Sequence, residues 1–551
     1  MISSLVTDDE RFEKLNMEMF QEFMEKNPHY ATLFGLHDPY DWLMPDGSSK
    51  NVFDSLDLTK RWEDRMKKTV DYNRLSVSRK IDWKIIEFAY ERAEFDVYEF
   101  RAWETNPDAF FEIGDVIFIM LTREYAPIEK RVEAIVSRLD KLPKYLEEFR
   151  TRFEKSRPVK LWTEVAIESS EQIEGLFQFI ISATEGVISN ELHNRLTKTV
   201  GVLQLPVKKH LEWLQGLMSR TKTDWAMGRE KLEKLLEIRG LGMTSEDIYR
   251  LGVQYLGRFK RERTRLAEKI APGKSVKDVM AQVEANAPRT FEEALKVTKD
   301  TMEKSREFVI ENDIATVYPD DKLHVEETPK FMAPLLPFAA LSPPGRFERR
   351  QEGIYVVTRP MDMKNLGKHM SYANIPVIAV HEGFPGHFLQ GAVSNRSSFV
   401  HLLASGIETI EGWAHYCEDL MTERGFIKGY ESQFMKVNNA IWRAGRIIVD
   451  VKLSRGEMSF DEAVNLLMKE ADMSQEGAVA EVRRYTMFPT YALSYLLGKH
   501  LVLKLRDDVK RRMGRKFSDK FFHDTITANG LLPFVLLREV FDMKLKELGV
   551  K

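Results

Sequence analysis

A single cysteine, Cys417, stands in a chain of 551 residues. One thiol cannot close an intramolecular disulfide, so a disulfide framework is excluded. No stretch approaches the roughly 18 apolar residues that a membrane-spanning helix requires. The opening residues, Met1-Ile2-Ser3-Ser4-Leu5-Val6-Thr7-Asp8-Asp9-Glu10, lack the basic start and apolar run of a secretion signal. Together these absences predict a soluble cytoplasmic protein. Charge of one sign is also missing. Charged residues are 30% of the chain, yet the net charge is −3, which provides no general field for nucleic acid or an anionic membrane. The basic run Lys510-Arg511-Arg512 with Arg515-Lys516 has no interleaved aromatics. It reads as a solvated helix end, not a nucleic-acid surface. Internal repeats and long low-complexity linkers are absent too.

Hydrophobic residues make up 43% of the chain, enough for a true core and too many for general disorder. Most of the sequence has helical spacing. Asp82 to Phe100 carries apolar residues among charges at that period, and so does Ile128 to Phe153, where Pro143 predicts a break. Thr244-Ser245-Glu246-Asp247 before Ile248 predicts a capping-box entry. Between Pro329 and Pro360 the composition changes. Pro329, Pro334, Pro337, Pro343, Pro344 and Gly345 surround Gly353-Ile354-Tyr355-Val356-Val357-Thr358, the best strand candidate. The predicted fold is mainly α, two-lobed, with a small β-sheet beside the helix of the candidate site. A helical N-terminal lobe over 1–330 and a catalytic lobe over 331–551 are expected.

The chemistry is concentrated in His381-Glu382-Gly383-Phe384-Pro385-Gly386-His387-Phe388-Leu389-Gln390, followed by Glu411-Gly412-Trp413-Ala414-His415-Tyr416-Cys417-Glu418. Histidines four apart share one face of a helix; His381 and His387 are six apart, which on a regular helix leaves them roughly 120° apart. Pro385 cannot sit in a helix interior, and Gly386 permits unusual dihedrals. A kink at Phe384–Gly386 is therefore predicted to bring both imidazoles to one point. Glu411 is the favoured third ligand, completing a His2Glu zinc site with an open fourth position. Cobalt or manganese could replace the zinc. Glu382, beside the first histidine, is placed as general base, taking a proton from water that the metal acidifies. Glu418 is seven residues beyond Glu411 and so on the same helix face. It is read, with Gln390, as a support for the ligands. His415 lies on that face as a rival ligand or a substrate contact.

Both segments resemble the family catalogued as domain of unknown function 885, whose pattern is H-E-x-x-P-G-H-x-x-Q and then E-G-W-A-x-Y-x-E. Gly240-Leu241-Gly242-Met243-Thr244, Arg484-Tyr485, Pro489, Ser494-Tyr495, Gly498 and Phe522-His523-Asp524 match further parts of it. The resemblance is similar in turn to the helical, two-lobed gluzincin peptidases, where a Glu about thirty residues after the first His binds zinc and a carboxylate seven further on supports the site. It implies a zinc metallopeptidase, a carboxypeptidase or oligopeptidase. Two departures stand out: Thr490-Tyr491 where the family usually has Gly-Gln, and Ser454 where it usually has His. They are expected to alter substrate preference and to leave the ligands untouched.

For the oxyanion, Tyr495 is the first choice of donor, with Tyr485 and Tyr491 as rivals. Arg484 is the candidate clamp for a substrate carboxylate. Arg443, Arg446 and Asp450, on one segment, are explained equally by an internal ion pair. The strand at Tyr355–Thr358 is a candidate for pairing with substrate backbone. The expected partner is a peptide entering a cleft between helical lobes, with homodimerisation left open. Two other readings are a zinc hydrolase of non-peptide amides or esters, and a non-catalytic peptide-binding protein.

Overall fold

In the computed structural model, which describes residues 7–328 and 339–550, the chain is mainly helical with one small sheet. Pro329, Pro334 and Pro337 lie outside the described residues. The chain forms two compact units. One comprises residues 1–225 with 345–349, the other 226–344 with 350–551. The division falls at 225/226, whereas the sequence reading places it at 330/331. The chain also crosses between the units at 344/345 and 349/350, inside the Pro329–Pro360 stretch of changed composition.

The first unit includes helices α1 (Val77–Phe95), α2 (Ile128–Thr151), α3 (Lys160–Thr184) and α4 (Asn190–Leu217). Helix α2 runs through Pro143 without ending. Leu139 and Leu142 before the proline and Tyr145 and Leu146 after it are all buried. Packing of both halves outweighs the roughly 3 kcal/mol that proline costs in a helix interior.

The second unit holds the candidate site. Helix α5 (Ser245–Ile270) starts at the expected capping box, with Thr244 and Asp247 each capping the other's backbone N–H. Helix α6 (Phe291–Glu311) follows, then strands β1 (Lys322–Glu327), β2 (Ala339–Ser342) and β3 (Glu352–Val357). The strand order is β1-β3-β2, with β1 parallel and β2 antiparallel to β3. Alternate residues Gly353, Tyr355 and Val357 are buried, as expected for a strand with one face on a core. Because β3 is the central strand, both its edges are taken and it cannot receive a substrate strand. The edges of this sheet are β1 and β2.

Five further helices carry the site: α7 (His387–Ser394), α8 (Ile407–Glu423), α9 (Tyr430–Arg455), α10 (Gln475–Met487) and α11 (Ser494–Met513). Helix α5 packs along α9, and α8 packs along α11. The second pair meets through glycines. A Cβ on Gly412 would lie 2.3 Å from the carbonyl carbon of Gly498, and a Cβ on Gly498 would lie 2.1 Å from the Glu408 oxygen. Only hydrogen side chains permit this crossing, which fixes the height at which Glu411 and Glu418 sit.

Candidate metal centre

The segment before His387 is not a regular helix. A short turn at Ile375–Ile378 widens into a π-helical turn at Ala379–Gly383, which contains His381 and Glu382. The helix then breaks at Phe384 to Gly386 and restarts at His387. Gly386 donates its N–H to the Val380 carbonyl at 3.1 Å. A Cβ there would fall 2.0 Å from the His381 oxygen, so glycine is obligatory. The Trp413 indole N–H donates to the Pro385 carbonyl at 2.7 Å, tying the break to α8. The Ser305 hydroxyl on α6 donates to the Phe384 carbonyl. The break turns the two imidazoles toward each other, with ring centroids 4.8 Å apart and planes at 87°.

Ligand atoms of His381, His387 and Glu411 all lie within 4.8 Å of one another. Glu411 Oε2 is 3.3 Å from His387 Nε2, close to the separation of about 3.4 Å that tetrahedral zinc with bonds near 2.1 Å imposes on two ligands. That oxygen is buried and receives no hydrogen bond. Burial alone would raise the Glu411 carboxyl, but His387, His381 and the Tyr491 hydroxyl outweigh it and bring it down to about 2. The group is therefore a carboxylate at neutral pH. On this donor set the residues fit a zinc ion.

Glu418 is fully buried. Its Oε1 accepts from His381 Nδ1 at 2.8 Å and from Arg443 Nη2 at 3.1 Å. Burial pushes its carboxyl up, but Arg443 and His381 prevail and hold it below the ordinary range. The contact assigns the His381 proton to Nδ1 and leaves Nε2 with a lone pair for a metal. Glu418→Ala should therefore weaken zinc binding by about 10–100-fold, read by chelator competition.

The remaining predicted residues fall in different places. Glu382 is half-buried next to His381. Its negative charge, after burial, raises the pKa of Tyr355 on β3, and it acts on His387 as well. Gln390 is buried and donates to the Thr409 carbonyl at 3.2 Å, so it joins α7 to α8. His415 has no exposed surface, and its Nε2 is 4.0 Å from Glu418 Oε2. Burial, Lys499 and Arg443 hold it neutral, and it lies outside the ligand triad. Tyr485 is buried, donating to Glu481 Oε2 at 2.5 Å and accepting from Arg446 Nε at 2.9 Å. Arg484 pairs with the same Glu481 at 3.2 Å, and its guanidinium lies 5.5 Å from the Tyr491 ring centre. Tyr491 donates to Glu411 Oε1 at 2.9 Å. Tyr495 stacks edge-on to Tyr491 at 6.0 Å and lies under the Arg446 guanidinium at 4.5 Å.

Arg443, Arg446 and Asp450 do not pair with one another. Arg443 serves Glu418, Arg446 serves Glu481, and Asp450 accepts the backbone N–H groups of Thr490 and Leu493 at 2.8 and 2.9 Å. Each side chain faces a different neighbouring element, which spacing on one helix does not reveal. Burial lifts the Asp450 carboxyl to about 6, although the two backbone donors oppose the rise. A folded pKa above the unfolded value of about 3.9 gives stability that is present below that value and lost as pH rises through about 6. Wild-type protein should thus lose stability relative to Asp450→Asn between about pH 4 and pH 6, measured by thermal melts.

Residues 28–541 match the family described as bacterial protein of unknown function, DUF885. The chain belongs to this family. Two solved structures share its fold. A protein from Shewanella oneidensis, described as a lipoprotein of unknown function, is 20% identical with a TM-score of 0.78, covering 96% of this chain and 99% of its own. One from Colwellia psychrerythraea, also described as a lipoprotein, is 18% identical with a TM-score of 0.86, covering 98% and 100%. No curated protein matches.

The two departures of this DUF885 chain acquire a physical setting. Thr490 has φ of +69°, the left-handed region that glycine adopts freely and other residues rarely do. It is held there by Asp450 and by Arg239 Nη1, which donates to its carbonyl at 3.1 Å. Ser454 donates to Asp450 Oδ1 at 3.3 Å. The expectation that these departures leave the ligands untouched is corrected for Tyr491, whose hydroxyl bonds Glu411.

Proposed function

We propose that this protein is a zinc-dependent hydrolase of peptide bonds, acting as a carboxypeptidase or oligopeptidase. One observation carries the reading: His381, His387 and Glu411 present ligand atoms within 4.8 Å of one another, with Glu382 adjoining the first of them. Zinc, when bound, supplies Lewis-acid polarisation of a carbonyl and lowers the pKa of water toward about 7; cobalt or manganese can substitute in such a donor set.

The protein's own groups supply the rest. Glu382 takes the proton of the attacking water on its carboxylate and delivers it to the departing amine nitrogen. Tyr355 on β3 is fully buried, and burial with the charge of Glu382 keeps it a neutral phenol. Because the Tyr491 hydroxyl is engaged by Glu411, Tyr495 is the tyrosine assigned to the developing oxyanion. Burial, together with the negative charge of Glu411, keeps its hydroxyl protonated as a donor at neutral pH. Arg484, about one-third exposed, shares Glu481 with Arg446. Two guanidiniums against one carboxylate leave a positive charge for a peptide C-terminus.

The test is mass spectrometry of a mixed peptide library incubated with zinc-loaded protein, with the Glu382→Gln variant as blank. Single-residue losses from C-termini would establish a carboxypeptidase. Internal or dipeptide cuts would establish an oligopeptidase. Identical traces from enzyme and blank would overturn the peptidase reading in favour of non-peptide amides, esters or peptide binding alone.

A further inference from the structure

We propose that Tyr491 is a positioning residue that holds Glu411 as a one-oxygen metal ligand, and that Asp450 fixes Tyr491 for this task. The inference rests on the reading of His381, His387 and Glu411 as the metal centre.

The two oxygens of Glu411 have different surroundings. Oε1 accepts the Tyr491 hydroxyl at 2.9 Å. Oε2 faces His387 Nε2 at 3.3 Å and receives no hydrogen bond. A carboxylate without such a donor is free to swing and offer both oxygens to one ion. A donor that occupies Oε1 keeps only Oε2 for the metal and so preserves an open position for substrate.

Tyr491 is itself held on several sides. Its ring meets Tyr495 edge-on at 6.0 Å and lies 5.5 Å from the Arg484 guanidinium. Its backbone belongs to a turn, not a helix: Thr490 has φ of +69°, and the Tyr491 N–H donates to the Phe488 carbonyl at 3.2 Å. Both oxygens of Asp450 grip that turn through the N–H groups of Thr490 and Leu493. Asp450 and Arg443 are seven residues apart on α9, and so on one face of it. A single helix thereby governs both carboxylates of α8, Glu418 through Arg443 and Glu411 through Asp450 and Tyr491.

The experiment uses the full chain with zinc or cobalt ions alone. Tyr491→Phe should bind zinc about 10–100-fold more weakly than wild type in chelator competition. The cobalt-substituted variant should absorb more weakly in the visible, as Glu411 gains a second contact and the ion becomes five-coordinate. Asp450→Asn should shift both readouts in the same direction, and it carries the test if Tyr491→Phe does not fold. Unchanged zinc affinity and an unchanged cobalt spectrum would overturn the proposal, and a fall in kcat alone would make Tyr491 a catalytic donor instead. If His381→Ala binds zinc as tightly as wild type, the metal centre itself is refuted and the role of Tyr491 falls with it. If His381→Ala loses zinc while Tyr491→Phe does not, only the positioning role is refuted.

Discussion

Glu382→Gln should lower peptide hydrolysis by about 10²–10⁴-fold while leaving zinc content and melting temperature at wild-type values. The substitution is isosteric; it removes the ability to accept a proton together with the negative charge that acts on Tyr355 and His387. Glu382 is half-buried in the widened turn that also carries His381. No ligand atom is altered, because the triad uses His381, His387 and Glu411. A variant that retains full activity would eliminate the general-base assignment. A variant that loses zinc would show that Glu382 supports the metal and not the proton transfer. Steady-state kinetics on one cleaved peptide, with metal analysis of the same samples, separates these outcomes.

Gly498→Val should destabilise the second unit by about 3 kcal/mol or more, because overpacking a tight contact typically costs 1–3 kcal/mol and occasionally more. The obstacle is backbone, not a flexible side chain. A Cβ on Gly498 would lie 2.1 Å from the Glu408 carbonyl oxygen and 2.8 Å from the Gly412 Cα. Helices α8 and α11 must separate to admit it, and Glu411 and Glu418 move with α8. Zinc binding should therefore fall together with the melting temperature. Gly201 in α4 is the contrasting case, since nothing lies within 4 Å of a Cβ built there. Gly201→Ala should stabilise the protein by about 0.4–1 kcal/mol through the unfolded chain. Thermal melts of the two variants side by side would test whether close approach, and not helix propensity, sets the effect at Gly498.

The candidate metal motif is legible because much of its chemistry is local. His381, Glu382, Pro385, Gly386 and His387 fall within seven consecutive residues, and the break that they require lies at the proline and glycine. Glu411 and Glu418 are legible for a related reason, since a heptad on a helix shares one face. The widened turn at Ala379–Gly383 was not legible, because Ala-Val-His-Glu-Gly carries no signal that separates a π-helical turn from the end of an α-helix. The same limit hid the Trp413 bond to the Pro385 carbonyl. Most buried indoles find an acceptor, but the sequence does not say which carbonyl will be near it.

By itself the sequence determined the helical character, the capping box at Thr244, the strand at β3 and the chemical identity of the candidate ligands. These follow from hydrophobic period, turn chemistry and the donor atoms of His and Glu, all of which act over a few residues. Tertiary structure alone decided that β3 is central, that α2 continues through Pro143, that Arg443 donates to Glu418 and that Tyr491 donates to Glu411. Each of these joins groups distant along the chain or depends on packing against another element. Their energies come from burial and from satisfying buried charge, and such terms exist only once separate elements have met.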